Sequence, residues 1–272
     1  MTGQYERIAV YIAAHQDDWQ LFMDPRISAD IVDPRCKTVI IHTTAGDAGL
    51  DKKYWRAREC AAVDSLVFRV SYRDHLRVAQ KMVVTGNKSI SMVNAGNCSI
   101  YFLRLPDGGM HGDGFERYQY QSMNKIRLHA IDKIITVDRK NEFSSFEEIG
   151  VFLNTLIKRE QKACGISATE NICLNFPEYD SALSPNDHND HLNTALLTNY
   201  LEIYRTAKKC AFVHYDIQHT ASDLKGSDLF WKIGMFSVYH QAVLSRYGHS
   251  TIGETPEYSA WCRKDARCRE IN

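Results

Sequence analysis

The chain has 272 residues, enough for one large α/β domain or two small ones. Its 44% hydrophobic and 24% charged residues are ordinary for a folded globular protein and exclude a disordered one. Lys plus Arg and Asp plus Glu both number 33; the resulting zero net charge gives no basic excess for nucleic acid or an anionic membrane, so a neutral or mixed small-molecule substrate fits better.

From the N-terminus, an acid at Glu6 precedes an apolar run that stops at Ala14 before a charged loop. That pattern is too short and too poorly flanked for a signal peptide or a membrane span. The eight cysteines form no Cys-x-x-Cys pair, so no thiolate zinc site is expected, and reduced thiols in a cytoplasmic protein are.

Ile8–Ala14 reads as a buried strand and Lys37–Thr43 as a second, with a helical crossover through residues 19–23 and 27–31 that Pro25 breaks or starts. A glycine-bearing turn, Thr44–Gly49, leads into an amphipathic helix over Tyr54–Leu66. Val67 to Tyr120 is rich in β-formers and turns, including Ser99–Leu105 ahead of Pro106-Asp107-Gly108-Gly109. Further on, Lys133–Val137 predicts a strand and Ser145–Glu160 a helix with Phe146, Ile149, Val151, Phe152, Leu153 and Leu156 inward. Asn171–Asn175 predicts another parallel strand, and Leu192–Lys208 a helix. No repeat or linker marks a boundary, so residues 1–272 read as a single domain, least legible from about residue 210. Alternating strands and helices predict an α/β fold, a three-layer Rossmann-like α/β/α sandwich with a mostly parallel sheet.

Two short segments carry chemistry. The first strand ends in His15-Gln16-Asp17-Asp18, and His188-Asn189-Asp190-His191 follows a polar loop and precedes a later helix. In each, the first and fourth residues share one side of a turn, while Asp17 is turned about 100° from its neighbour. Three imidazole or carboxylate ligands plus a water make an open catalytic metal site, which lowers the pKa of that water towards ~7. A nearby free carboxylate then serves as general base. Taken singly, Asp17-Asp18 also suits a helix N-cap, and His188 and His191 a polar surface loop.

The pattern resembles a family. Ala14-His15-Gln16-Asp17-Asp18 and His188-Asn189-Asp190-His191 look like the signatures Ala-His-Pro-Asp-Asp-Glu and His-Pro-Asp-His of the PIG-L/LmbE-like zinc deacetylases. Between them Thr44–Gly49 resembles the family's glycine loop, Arg56-Ala57-Arg58-Glu59 its Arg-x-x-Glu helix and Asp107–Met110 a later Asp-bearing turn, all in family order from about Ile8 to Ala195. The departures are Gln16 and Asn189 in place of prolines, and Trp19 in place of Glu. Trp19 offers a candidate stacking wall for a sugar or an aromatic aglycone.

The resemblance implies His15, Asp18 and His191 as metal ligands and Asp17 as general base. It makes His188 the group that stabilises the oxyanion or protonates the leaving amine, a role read as an imidazolium, and it assigns Arg56 and Asp107 to substrate hydroxyls. It implies Zn2+, although two nitrogens and a carboxylate also accept iron, cobalt or nickel. The activity implied is removal of an acetyl or longer acyl group from the nitrogen of an amino sugar such as N-acetylglucosamine in a glycoconjugate. Two alternatives stay open: hydrolysis of a non-sugar amide or ester, and non-catalytic carbohydrate or nucleotide binding on the same scaffold. Tyr239-His240 and the pair His214 and His219 are weaker candidates, left outside the site.

Overall fold

The computed structural model describes residues 5–71, 76–221, 223–250 and 255–271. In chain order, β1 (Arg7–Ala13) runs through α1 (Asp18–Phe22) and α2 (Arg26–Val32) into β2 (Cys36–Thr44), and α3 (Lys52–Val70) follows. A meander of β3 (Val78–Thr85), β4 (Lys88–Ala95) and β5 (Cys98–Leu105) precedes α4 (Met123–Arg127) and the two-residue strands β6 (Ile134–Ile135) and β7 (Glu142–Phe143). Then come α5 (Phe146–Cys164), β8 (Ile172–Pro177), α6 (Asn189–Leu197) and β9 (Lys208–Phe212). The chain closes with α7 (Gly226–Tyr247), α8 (Glu257–Trp261) and β10 (Cys268–Ile271).

Eight strands form one sheet in the order β10-β9-β8-β1-β2-β5-β4-β3. The five central strands, β9 to β5, are parallel, and antiparallel pairing flanks them on both sides. Side chains alternate across the sheet as the two-residue period requires. Ile8, Val10 and Ile12 of β1 pack with α5 and α6 in one core, while Ala9 and Tyr11 join α2, α3 and α7 in the other. Burying each such aliphatic side chain contributes about 1.5–3 kcal/mol. The result is the three-layer α/β/α sandwich expected from the alternating pattern.

Three expected elements differ. The helix predicted over Leu192–Lys208 stops at Leu197: Thr198 turns its hydroxyl back onto the Ala195 carbonyl at 2.6 Å, and Lys208 already begins β9 beside β8. In 133–137 only Ile134 and Ile135 are extended, paired with β7 outside the main sheet. Val151 is 49% exposed, because it lies about 100° round the helix from Phe152, away from the stripe of Ile149, Phe152, Leu153 and Leu156. No helix among the described residues is long and apolar enough to cross a membrane. All eight cysteines are free.

The parallel arrangement sends the chain out of β1, β2, β5, β8 and β9 on the same edge of the sheet. The segments that follow carry residues 14–18, 45–51, 106–110, 178–191 and 213–217, at the edge where open α/β sheets gather their ligands.

Candidate metal centre

His15 leaves the end of β1, and Asp18 opens α1 one turn later. The backbone N–H of His15 donates to Asp18 Oδ2 at 2.7 Å, which leaves Oδ1 free. His188 is the N-cap of α6, with Nδ1 accepting the Asp190 N–H at 3.1 Å, and this sets His191 in the first turn, aimed back at β1. His15 Nδ1, Asp18 Oδ1 and His191 Nε2 then form a closed triangle with edges of 3.2 Å, 3.2 Å and 3.5 Å. A tetrahedral ion held at about 2.0–2.2 Å by nitrogen and oxygen requires ligand atoms about 3.3–3.6 Å apart. The donor set and its spacing therefore fit Zn2+, and all three residues are buried.

The second clustering on His15, with Asp107, His188 and Asp190, fits less well. Its carboxylates lie 3.4 Å and 3.9 Å from His15 Nε2 and are engaged by backbone N–H groups: Asp190 by Gly108 at 2.9 Å, Asp107 by Gly109 at 2.8 Å and Ala48 at 3.2 Å. Both carboxylates face the His15 ring, but among the described residues His15 Nε2 has no hydrogen-bond partner. His191 is held, its Nδ1 lying 2.6 Å from Asp187 Oδ1, the carboxylate–imidazole pairing that fixes the tautomer of a metal-bound histidine. Burial opposes ionisation of Asp18, yet the imidazoles of His191 and His15 hold its carboxyl well below the ordinary range, which keeps it an anionic ligand.

Asp17 occupies the cap position of α1 without capping it. Its Oδ1 instead takes a hydrogen bond from Arg58 Nη2, and Oδ2 has the Tyr258 hydroxyl at 3.5 Å. Arg58 is buried on α3, with Nε donating to the Tyr239 hydroxyl at 2.8 Å and Nη1 to the Gly46 carbonyl at 2.6 Å. A Cβ at position 46 would come within 2.6 Å of that guanidinium, and φ there is +52°, so the turn requires glycine. The ion pair ties the glycine loop, α3 and α7 to an acid that lines the site outside the triangle.

His15, Asp17, Asp18 and Arg58 line a pocket of about 180 Å³ together with Asp107 and His188. Its apolar wall is Phe22, Tyr54, Tyr215, Tyr258 and Trp261. The rings of Tyr215 and Trp261 stack at 4.8 Å, and the indole N–H of Trp261 donates to the Tyr215 carbonyl at 3.1 Å. Because His188 Nδ1 accepts a backbone N–H, its proton sits on Nε2, 3.8 Å from Asp107; the ring is a neutral donor, where an imidazolium was expected.

The structure thus brings together His15, Asp17, Asp18, Asp107, His188 and His191. Arg56 is not among them: it is exposed, 5.6 Å from the Trp55 ring, and Arg58 takes the place in the pocket. Trp19 is fully buried and does not line the pocket, so the aromatic wall comes from Trp261 instead. His240 bonds the Ser250 hydroxyl at 3.0 Å, whereas its neighbour Tyr239 holds Arg58. His219 is exposed, but His214 is buried edge-on to His191 at 4.3 Å. Asp187, Arg58 and the aromatic wall escaped the sequence reading; Asp187, directly before the His188–His191 motif, carried the clearest signal.

A solved structure shares this fold, and two more align with the chain. A triple mutant of a deacetylase of the teicoplanin biosynthetic pathway aligns over 93% of this chain and 88% of that one, with a TM-score of 0.51 and 10% identity. The zinc-inhibited form of teicoplanin deacetylase Orf2 aligns over 87% and 84%, with a TM-score of 0.47 and 10% identity. The N,N'-diacetylchitobiose deacetylase from Pyrococcus horikoshii, complexed with its inhibitor MPG, aligns over 97% and 84%, with a TM-score of 0.47 and 14% identity. No protein-family model matches the chain, and no curated protein matches it.

Proposed function

We propose that this chain is a zinc-dependent hydrolase that removes an acetyl or other acyl group from the nitrogen of an amino sugar, N-acetylglucosamine being the simplest case. The observation that carries the reading is the triangle of His15 Nδ1, Asp18 Oδ1 and His191 Nε2 beside a carboxylate outside it. The order of motifs resembling the PIG-L/LmbE-like deacetylases supports it, as does a fold shared with a deacetylase.

His15, Asp18 and His191 would hold the ion; bound there, zinc supplies a Lewis acid that acidifies water and polarises a carbonyl. Asp17 Oδ2 accepts the proton of the attacking water, while Arg58 fixes Oδ1 so that the free oxygen keeps one direction. His188 donates from Nε2 to the oxygen on which negative charge develops, and the Asp190 N–H holds its ring for that purpose. Asp17, once protonated, returns the proton to the departing amine. Asp107 receives a sugar hydroxyl, and Tyr215 and Trp261 offer a face to the ring.

The test is acetate release from a panel of N-acetyl amino sugars, an acetyl ester and a non-sugar acetamide, with and without chelator. Chelator-sensitive release from the sugars alone supports the reading. Release confined to the ester or the simple amide replaces the substrate class, and sugar binding with no release from any of them leaves a binding protein.

A further inference from the structure

The pocket over the metal centre, at about 180 Å³, is smaller than the roughly 300–1,000 Å³ of a typical small-molecule site. It takes the reacting end of a substrate and leaves the rest outside. Next to it lies a groove of about 680 Å³. The two share one partition, formed by the glycine loop and the first turn of α3. Ala48 and Tyr54 line the metal pocket; Lys52 and Trp55 line the groove.

The groove is cationic in a chain whose net charge is zero. Lys52, Arg117, Arg139 and Lys140 line it, against the single acid Glu142. Lys133 engages Glu142 from outside at 2.9 Å, and among the described residues no carboxylate pairs with any of the four cations. Nearby Asp138 is taken by Arg104 at 2.7 Å, and Asp51 is spent on capping α3. The walls are also fixed in place. Arg117 Nε bonds the Gly49 carbonyl at 3.1 Å and the Tyr118 hydroxyl that of Leu50 at 3.2 Å, so one wall is pinned to the partition. The hairpin tip bearing Arg139 and Lys140 is closed by Thr136 N–H to Asn141 O at 3.0 Å and Arg139 N–H to Thr136 O at 2.7 Å. It is anchored to β5 by Val137 N–H to Arg104 O at 2.9 Å.

We propose that this groove binds a phosphate group carried by the part of the substrate that lies beyond the reacting amide. Four unneutralised cations match a phosphate monoester, at about two negative charges, better than a single carboxylate. The two guanidinium forks supply the paired donors that phosphate oxygens take. The charge also steers such a substrate towards the partition from solution. This inference rests on the hydrolase reading above, so its test separates the two.

Calorimetry with the zinc-loaded protein and glucose 1-phosphate, which has no amide to cleave, reads the groove alone; glucose and glucuronate are the neutral and carboxylate controls. Saturable binding of glucose 1-phosphate, about ten-fold or more weaker in the double variant Arg139→Gln/Lys140→Gln and falling with salt, is expected. Both side chains are exposed, so the variant retains the fold. Kinetics supply the second arm: the KM of N-acetylglucosamine 1-phosphate rises in the double variant, while that of N-acetylglucosamine does not change. If glucose 1-phosphate binds no better than glucose or glucuronate, or the double variant binds it equally well, the groove is not a phosphate site, whatever the activity. If it binds as expected while no N-acetyl sugar is cleaved, the groove stands and the hydrolase reading falls.

Discussion

Arg58 holds one carboxylate oxygen of Asp17, and the other has the Tyr258 hydroxyl at 3.5 Å. A carboxylate able to accept a proton is thereby fixed in direction by a buried guanidinium that is itself bonded to Tyr239 and Gly46. Arg58 touches neither the metal triangle nor the His188 ring in any hydrogen bond, so its effect on the reaction passes through Asp17.

Replacement of Arg58 by Gln therefore lowers kcat by about 10²-fold, the cost of a misdirected catalytic group, and leaves zinc content unchanged. Asp17→Asn lowers kcat by about 10²–10⁴-fold, again with zinc retained. Steady-state kinetics with metal analysis and circular dichroism of each variant check this. Loss of zinc from either would place these residues among the ligands instead.

Asp187 makes the complementary case, because its carboxylate meets His191 Nδ1 at 2.6 Å on the side of the ring opposite the triangle. Asp187→Asn weakens zinc affinity by about 10–100-fold, measured by competition with a chelating dye. Removing zinc from the unmodified protein lowers the unfolding temperature, and at a free concentration about 100 times Kd the ion contributes about 2.7 kcal/mol. An Asp187→Asn variant with unaltered affinity would show that another group sets the His191 tautomer.

How much of this was legible in the sequence follows from how each part is specified. His15-Gln16-Asp17-Asp18 and His188–His191 are contiguous, and one helical turn sets the geometry within each. The β1 and β2 strands were legible because both faces are buried and their apolar runs are unbroken. Arg58 was not, since α3 buries Arg58, Glu59 and Arg69 along with its apolar residues, so no clean stripe tells which face meets the sheet. Arg56 and Arg58 lie about 200° apart on that helix, and only tertiary packing chooses between them. Tyr215 and Trp261 meet through contacts made 46 residues apart, which no local pattern encodes.

Trp261, at the rim of the pocket, lends itself to a test of substrate binding. A stacking wall acts alike on substrate and transition state, so Trp261→Ala raises KM for an N-acetyl amino sugar with little change in kcat. A rise of about ten-fold corresponds to about 1.4 kcal/mol, within the range of one aromatic contact. Trp19→Phe leaves KM unchanged, because Trp19 lies wholly in the core. Equal effects of the two changes would mean that the Trp261 effect is structural.

Asp24, distant from the chemistry, contributes to the pH dependence of stability. It is fully buried beside Ser28, and burial raises its pKa from 3.8 to about 6, against the pull of Ser28, Lys232 and Arg69 and with a smaller push from Asp228. A carboxyl whose pKa is higher folded than unfolded contributes stability that is fully present below about pH 4 and lost as pH rises through about 6. By pH 7 the loss amounts to about 3 kcal/mol. Asp24→Asn abolishes that loss, so its stability relative to the unmodified protein improves by roughly 2–3 kcal/mol between about pH 4 and about pH 7. Lys232, lowered to about 8 by burial and held up in part by Asp24, stays largely protonated up to about pH 7 in the unmodified protein, so its own contribution there varies little with pH. Urea unfolding of both proteins across this range measures the difference, and a gap that stays constant with pH would show that Asp24 ionises in the folded state as readily as in the unfolded chain.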